Sequence, residues 1–359
     1  MEVFKEIGKY GHEQVAYCFD EVSGLKSIIA IHNTSLGPAL GGCRMWPYGS
    51  EEEAVEDVLR LSRAMTYKNS IMGLDLGGGK AVIIGDPRKD KTEALFRAFG
   101  KFVQSLGGRY ITAEDVGVGE RDMAVVATET GFVAGRPEVS GDPSPATAWG
   151  VLHGMKACCR VVFGDDSLAG RKVAVQGAGH VGRHLIRHLV EEEAEVVVTD
   201  IFEDAVESVV TGFNVRAVDP QDIYDVECDV FSPCALGGVI NDGTIPRLRC
   251  RIVAGAANNQ LAESHHGEEL ARAGILYAPD FVMNGGGVTN CAAELRRGSY
   301  NRKETFERIS RIYDILLRVF ETARARGIAP HRAAEQLAEE RINTLSGIKR
   351  LYLRAPVPA

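Results

Sequence analysis

Lys172-Val173-Ala174-Val175, then Gly177-Ala178-Gly179-His180-Val181-Gly182, then a helical run to about Glu193, then Val196-Val197-Val198-Thr199-Asp200: this stretch decides the fold. Strand, Gly-x-Gly-x-x-Gly, helix, strand and terminal acid, in that order, form the dinucleotide-binding βαβ fingerprint. The first glycine permits the tight turn, the second lets backbone approach a pyrophosphate, and the third lets helix pack on strand. The helix N-terminus offers unsatisfied N–H groups and partial positive charge to phosphates, with Arg183 in its first turn. Asp200 suits the ribose hydroxyls of NAD and repels the extra phosphate of NADP, and Ile201-Phe202 bring no cation to offset it. A lone glycine pattern would be weak among 40 glycines, and the flanking elements give it weight.

Outward from this unit, the chain of 359 residues exceeds what one core usually supports, so two domains are expected. With 45% hydrophobic and 25% charged residues and a formal charge of −8, nothing favours nucleic acid or an anionic membrane as partner. No apolar run approaches a membrane span, and Met1 to Glu6 lack a signal-peptide core, so the expected compartment is the cytoplasm. The eight cysteines include no Cys-x-x-Cys pair, which points to reduced thiols and no zinc site. His180, His184 and His188 have helical spacing that could chelate a metal, but a solvated helix face is the simpler reading. No metal is expected.

The expected boundaries are 1–145 plus 330–359 for a substrate-binding and oligomerising domain, and 146–329 for a Rossmann-type NAD domain. In the first unit Leu25–His32 is a strand, and Leu36 to Gly42 reads as turn. A helix opens at Ser50 with a capping box to Glu53 and runs through Lys68. Gly77-Gly78-Gly79 reads as a turn delivering Lys80 to a buried strand. A helix over about 91–106 and a strand at Tyr110-Ile111-Thr112 lead to Glu114-Asp115. Two prolines in 143–145 exclude a helix there and mark a hinge, with a helix from Ala148 to Phe163. Beyond the fingerprint, apolar runs alternate with helices, as in a doubly wound parallel sheet. Ligand then binds outside the strand ends, where Cys234, Ala235, Ala257, Asn258 and Asn284 fall. Two helices, about 303–326 and 331–344, close the chain.

Lys68 and Lys80 each end a regular element, and three glycines before Lys80 allow a ligand close approach. With these, Met65-Thr66-Tyr67-Lys68, Gly77-Gly78-Gly79-Lys80, Ala113-Glu114-Asp115-Val116, Ser144-Pro145-Ala146-Thr147, Ala256-Ala257-Asn258-Asn259-Gln260-Leu261 and Asn284-Gly285-Gly286-Gly287-Val288 stand in order. Together they resemble the amino-acid dehydrogenase family of glutamate, leucine, phenylalanine and valine dehydrogenases, most of all the leucine-specific members, over nearly the whole chain.

The resemblance implies an α/β chain of two domains with the active cleft between them. It implies NAD-dependent, reversible oxidative deamination of an L-amino acid to a 2-oxo acid and ammonia, in a homo-oligomer. It assigns Lys68 to the substrate carboxylate, Lys80 to general base, Asp115 to proton exchange with the substrate nitrogen, and Thr147 and Asn284 to orienting nicotinamide and substrate. Gly41 lies at the substrate, and Leu40, Ala113, Val288 and Cys291 would line the side-chain pocket. An ammonium is a poor base at neutral pH, so desolvation and the Lys68 charge must help free the Lys80 amine, with Asp115 coupled to both. None of the four pocket residues is cationic, which argues against glutamate and for leucine, isoleucine and valine. His180 replaces the usual asparagine of the turn, and Gly182 stands where close relatives often have alanine. Three glycines at 285–287 and Cys291 point to a wider pocket. The alternatives are an aromatic amino-acid dehydrogenase, a catalytically silent NAD-binding regulator that would have lost these lysines, and a hydroxy-acid dehydrogenase, for which a histidine–carboxylate pair is missing.

Overall fold

A computed structural model describes residues 2–136, 138–296 and 299–347. The elements run α1 (Val3–Tyr10), β1 (Gln14–Asp20), β2 (Leu25–Asn33), β3 (Ala39–Trp46), α2 (Glu51–Ile71), β4 (Gly77–Ile84), α3 (Glu93–Ser105), β5 (Tyr110–Glu114) and α4 (Glu120–Ala127). The long α5 (Ser144–Phe163) leads to β6 (Lys172–Gln176), α6 (His180–Glu191), β7 (Glu195–Thr199), α7 (Glu203–Phe213), β8 (Arg216–Ala217), β9 (Val230–Pro233), β10 (Ile252–Val253), α8 (His266–Arg272) and β11 (Leu276–Tyr277). Five helices close the described chain: α9 (Asp280–Met283), α10 (Gly285–Glu294), α11 (Arg302–Ser310), α12 (Ile312–Arg326) and α13 (Pro330–Ser346).

The rear sheet has the order β11-β10-β9-β6-β7-β8, with every pair parallel. Its inner strands β6, β7, β9 and β10 carry buried apolar residues on both faces, as parallel strands covered by helices do, while the edge strand β8 is exposed. Strand order reverses between β6 and β9, and the glycine turn leaves β6 at that switch point. A Cβ on Gly177 would meet the Ala235 amide at 2.9 Å. The loop after β9 therefore lies against the turn, where such sheets hold ligand.

The front sheet is mixed, in the order β1-β2-β4-β3-β5, with β3 flanked in parallel by β4 and β5. Of the two segments expected as turns, the first turns only over Leu36 to Pro38, and Ala39 onward and the whole of Gly77 to Gly79 are strand. Gly41 and Gly42 lie within β3, and Gly77 to Gly79 begin β4. Their glycines answer crowding, not flexibility. A Cβ on Gly41 would sit 1.8 Å from the Gly79 carbonyl oxygen, and one on Gly78 2.1 Å from the Thr66 amide. Gly41→Ala is expected to cost at least about 1–3 kcal/mol, as overpacking does. Gly8→Ala, on an open helix face, should be neutral or slightly stabilising. Paired thermal melts of the two variants check this.

The prolines of the hinge do not delay α5. Pro143 is the N-cap and Pro145 sits in the first turn, where a missing N–H costs nothing. At Ser50 the hydroxyl accepts the Glu53 N–H, but the Glu53 carboxylate accepts from Gly49 at 2.8 Å, so the capping box closes one residue early. The helix expected over 303–326 breaks at Arg311 into α11 and α12. The last helix returns to the front half. Ser70 donates to the Ala338 carbonyl at 2.8 Å, and Arg341 donates to the Leu74 carbonyl at 2.7 Å and pairs with Asp75. Residues 348–359 lie outside the described residues.

Candidate active site

Lys80 rises from β4 almost wholly buried, with 4% of its surface exposed. Its Nζ lies 3.1 Å from Asp115 Oδ1, just beyond the end of β5. The other oxygen of Asp115 accepts from Arg44 Nε at 2.9 Å, and Arg44 in turn pairs with Asp57, which also accepts from Tyr48. Burial pushes the Asp115 carboxyl up, but the Lys80 and Arg44 charges outweigh it and hold the group at about 2. In the ligand-free site Asp115 is thus ionised, held between Lys80 and Arg44 and open to a proton from a substrate. Arg44 escaped the sequence reading because its partner is 71 residues away. Its one signal was a charge amid the apolar Cys43-Arg44-Met45.

Lys68 comes from the last turn of α2 and donates to Asn258 Oδ1 of the rear half at 3.3 Å. Burial lowers its ammonium to about 8. The Lys80 charge adds to that effect, and Asp280 and Asp115 oppose it. Asn284 Nδ2 donates to Ala256 O at 3.1 Å and to the same Asn258 oxygen at 2.8 Å. Both partners are acceptors, which fixes the orientation of the amide. Asn284 Oδ1 is consequently a buried acceptor without a partner. Such an atom calls for a donor from a ligand.

These groups surround a cavity of about 250 Å³. That is below the roughly 300–1,000 Å³ of drug-sized sites and suits a molecule of amino-acid size. Leu40, Gly41, Ala113, Val288 and Cys291 line it together with Lys68, Lys80 and Asp115, while Thr147, Asn258, Asn284 and Val181 approach from the rear half. Burial pushes the Cys291 thiol up to about 12, leaving it a neutral wall. Thr147 spends its hydroxyl proton on Pro143 O at 2.9 Å. Of the three glycines, only Gly287 reaches the cavity; Gly285 abuts Met72 and Gly286 abuts the Ala146 carbonyl. The run therefore seats α10 against its neighbours more than it widens the pocket.

Glu114, unassigned from the sequence, also lines the cavity. Burial, and after it the charges of Glu120, Asp142 and Asp115, together push its carboxyl up to about 7. Met65, Gly42, Pro143 and Ala256 complete the wall.

The glycine turn leads into this space. No side chain caps α6 at Gly179, so the first amides of the helix are open, and no atom lies within 4 Å of a Cβ built on Gly179. Together with the orphan oxygen of Asn284, that cradle fits a nicotinamide dinucleotide. Gly182 lies 2.0 Å, by its virtual Cβ, from the Gly177 carbonyl oxygen, so the turn is tight around it. Asp200 accepts the Ala178 N–H at 2.7 Å and the Phe202 N–H at 3.0 Å, fixing the turn with both oxygens. Ala257 is tied to Pro233, and Cys234 to Gln176, by backbone bonds. Arg183 reaches Ser208, and His180 is exposed at the head of α6.

His180, His184 and His188 form no metal-type cluster among the described residues; His188 pairs with Glu191. Asp242, His265, His266 and Glu269 do come within 4.8 Å of one another. Within that group His266 Nδ1 accepts the Glu263 N–H at 2.9 Å, so Nε2 carries the proton directed at Asp242 and offers a metal no lone pair.

A nucleotide-type sheet facing two lysines and a fixed carboxylate is the layout of a dehydrogenase for a small carboxylate-bearing substrate. The chain belongs to the Glu/Leu/Phe/Val dehydrogenase family. Residues 12–131 match its dimerisation domain, and residues 200–347 match the glutamate/leucine/phenylalanine/valine dehydrogenase domain. It is an amino-acid dehydrogenase acting on a CH–NH2 group, which calls for a nicotinamide cofactor. The chain is 57% identical to the leucine dehydrogenase of Geobacillus stearothermophilus over 99% of its own length and 97% of the relative's. It is 52% identical to the valine dehydrogenase of Streptomyces virginiae over 93% and 94%. Among solved structures, the L-tryptophan dehydrogenase of Nostoc punctiforme superposes with a TM-score of 0.84 at 44% identity, covering 96% of this chain and 99% of that one.

Proposed function

We propose that the protein catalyses the reversible, NAD-dependent oxidative deamination of branched aliphatic L-amino acids. The observation that carries this reading is the cavity in which a buried lysine–aspartate pair faces a second lysine and the orphan oxygen of Asn284. Lys68 holds the substrate carboxylate, and Asn284 Oδ1 accepts from the substrate ammonium or the nicotinamide carboxamide. NAD, when bound, supplies the hydride acceptor. Asp115 exchanges a proton with the substrate nitrogen, and Lys80, 3.1 Å from it, activates water for attack on the imine carbon. The side chains of Lys80 and Asp115 are largely buried, 6% and 20% exposed, so their charges act at a lower dielectric than in water.

Apolar walls at Leu40, Ala113, Val288 and Cys291 take the side chain. A substrate with a second carboxylate would meet Glu114 and no further cation, which disfavours glutamate. One methylene in such a pocket is worth about 1–3 kcal/mol, so leucine, isoleucine and valine should overlap. Asp200 at the end of β7 favours NAD over NADP.

NADH formation from a panel of L-amino acids tests the reading. Branched aliphatic substrates are expected to exceed phenylalanine and tryptophan in kcat/KM, with glutamate near background. Replacing NAD by NADP should lower kcat/KM about 100-fold, since a like-charge contact costs several kcal/mol. Preferential use of aromatic substrates would shift the assignment to an aromatic amino-acid dehydrogenase.

The chain is also proposed to act as a homo-oligomer with 1–145 and the last helix as the assembling half. Its edge strand β1 presents Tyr17 and Phe19 to solvent, 55% and 63% exposed. Among the described residues no helix is long and apolar enough to cross a membrane.

A further inference from the structure

Behind Asn258, outside the residues that line the cavity, stands Asp280, which the reaction scheme above leaves unused. Its Oδ2 accepts the Gln260 N–H at 3.0 Å and its Oδ1 accepts the Phe281 N–H at 2.6 Å. The Tyr277 hydroxyl accepts the N–H of Asp280 itself at 3.3 Å. Gln260 is fully buried and donates through Nε2 to Gly255 O and Ala257 O, at 2.9 and 3.0 Å. The 255–260 loop is therefore folded around two side chains, and its tip is Asn258. The Asn258 oxygen receives both Lys68 and Asn284. Asp280 thus fixes the loop whose Asn258, among the described residues, accepts from Lys68.

We infer that Asp280 is a positioning residue for substrate binding: it holds the 255–260 loop so that Asn258 meets Lys68, and it sets a carboxylate behind the ammonium that receives the substrate carboxylate. The inference rests on the assignment of Lys68 to that carboxylate. The charged groups facing Lys68 are Asp280 on α9, Lys80 on β4 and Asp115 after β5, and of these Asp280 acts on it most strongly. Burial holds the Asp280 carboxyl above the ordinary aspartate range, and the backbone amides of Gln260, Phe281 and Asn259 and the Lys68 charge, which favour its ionised form, offset that only in part. The neighbouring Tyr277 hydroxyl is buried and pushed well up, so it stays neutral.

The test follows KM for the branched 2-oxo acid in reductive amination, at saturating ammonia, from neutral into alkaline pH. This substrate carries no amine of its own to titrate. Wild-type KM should climb above about pH 8 as Lys68 loses its proton. In Asp280→Asn the climb should begin at least about one pH unit lower, the usual size of a lost opposite charge, with neutral-pH kcat within a few-fold of wild type. Asp280→Glu, which keeps the charge, should climb where wild type does. NADH binding confirms that each variant is folded, and if Asp280→Asn is not, Asp280→Glu decides: a climb shifted downward in a folded Asp280→Glu overturns the inference. So does an Asp280→Asn climb that superposes on wild type, or a kcat loss at every pH with KM unchanged. Lys68→Ala separates the two readings. A flat KM profile there with an unshifted Asp280→Asn sinks only the role of Asp280, whereas a wild-type climb in Lys68→Ala removes Lys68 from the carboxylate.

Discussion

Lys80→Ala should lower kcat by at least about 10²-fold, the lower end of what a positioned acid–base group contributes, while leaving NADH affinity near wild type. The separation follows from the architecture. Lys80 sits on β4 of the front sheet, whereas the glycine turn and Asp200 belong to the rear sheet. Deleting the amine removes a cation from Asp115 but leaves the Arg44 contact at 2.9 Å, so the carboxylate is not stranded. The variant therefore reports on chemistry and not on a collapsed site. Arg44→Ala makes the opposite cut. It leaves Lys80 in place and frees one Asp115 oxygen, and should raise the affinity of Asp115 for a proton, the reverse of the depression that Lys80 and Arg44 now impose. Steady-state kcat with NADH binding by fluorescence decides the matter, and near-normal turnover in Lys80→Ala would remove it from the mechanism.

Residues that touch their partners through local sequence were readable, and those fixed by distant backbone were not. The spacing Gly177, Gly179, Gly182 and Asp200 encodes one local turn, and the structure places that turn at the switch point between β6 and β9. Lys68, Lys80 and Asp115 are legible as motifs, and their convergence on one cavity comes from the β4-β3-β5 order for Lys80 and Asp115 and from the packing of α2 on β4 for Lys68. The glycines of β3 and β4 misled because glycine ordinarily argues against a strand interior. Their reason lies across the sheet, in carbonyls and a helix backbone that fill the space of a Cβ. Pro145 misled through a rule that fails within the first turn of a helix. Arg44 and Asp280 act through partners on other elements, so no periodicity could reveal them.

Lys68→Ala is expected to act on binding instead. Truncating one partner of a buried charge pair costs about 2–5 kcal/mol, so kcat/KM for the amino acid should fall roughly 30-fold to several thousand-fold, mainly through KM. The pH dependence carries a sign. The folded-state value of Lys68 is depressed from 10.5 to about 8, so it is cationic below that pH and neutral above it. Carboxylate binding through Lys68 is thus present below about pH 8 and lost above it, and the variant should lose that limb of the kcat/KM profile. Stability runs the other way. A cation with a depressed value burdens the fold while protonated, and the burden fades as pH rises from about 8 toward 10.5. Lys68→Ala should therefore melt no lower than wild type at neutral pH, with the two converging in alkali. A variant that loses binding while holding or gaining stability is the signature of a lysine kept for its ligand. A fall in melting temperature with KM unchanged would make Lys68 a structural residue and break the proposed substrate orientation.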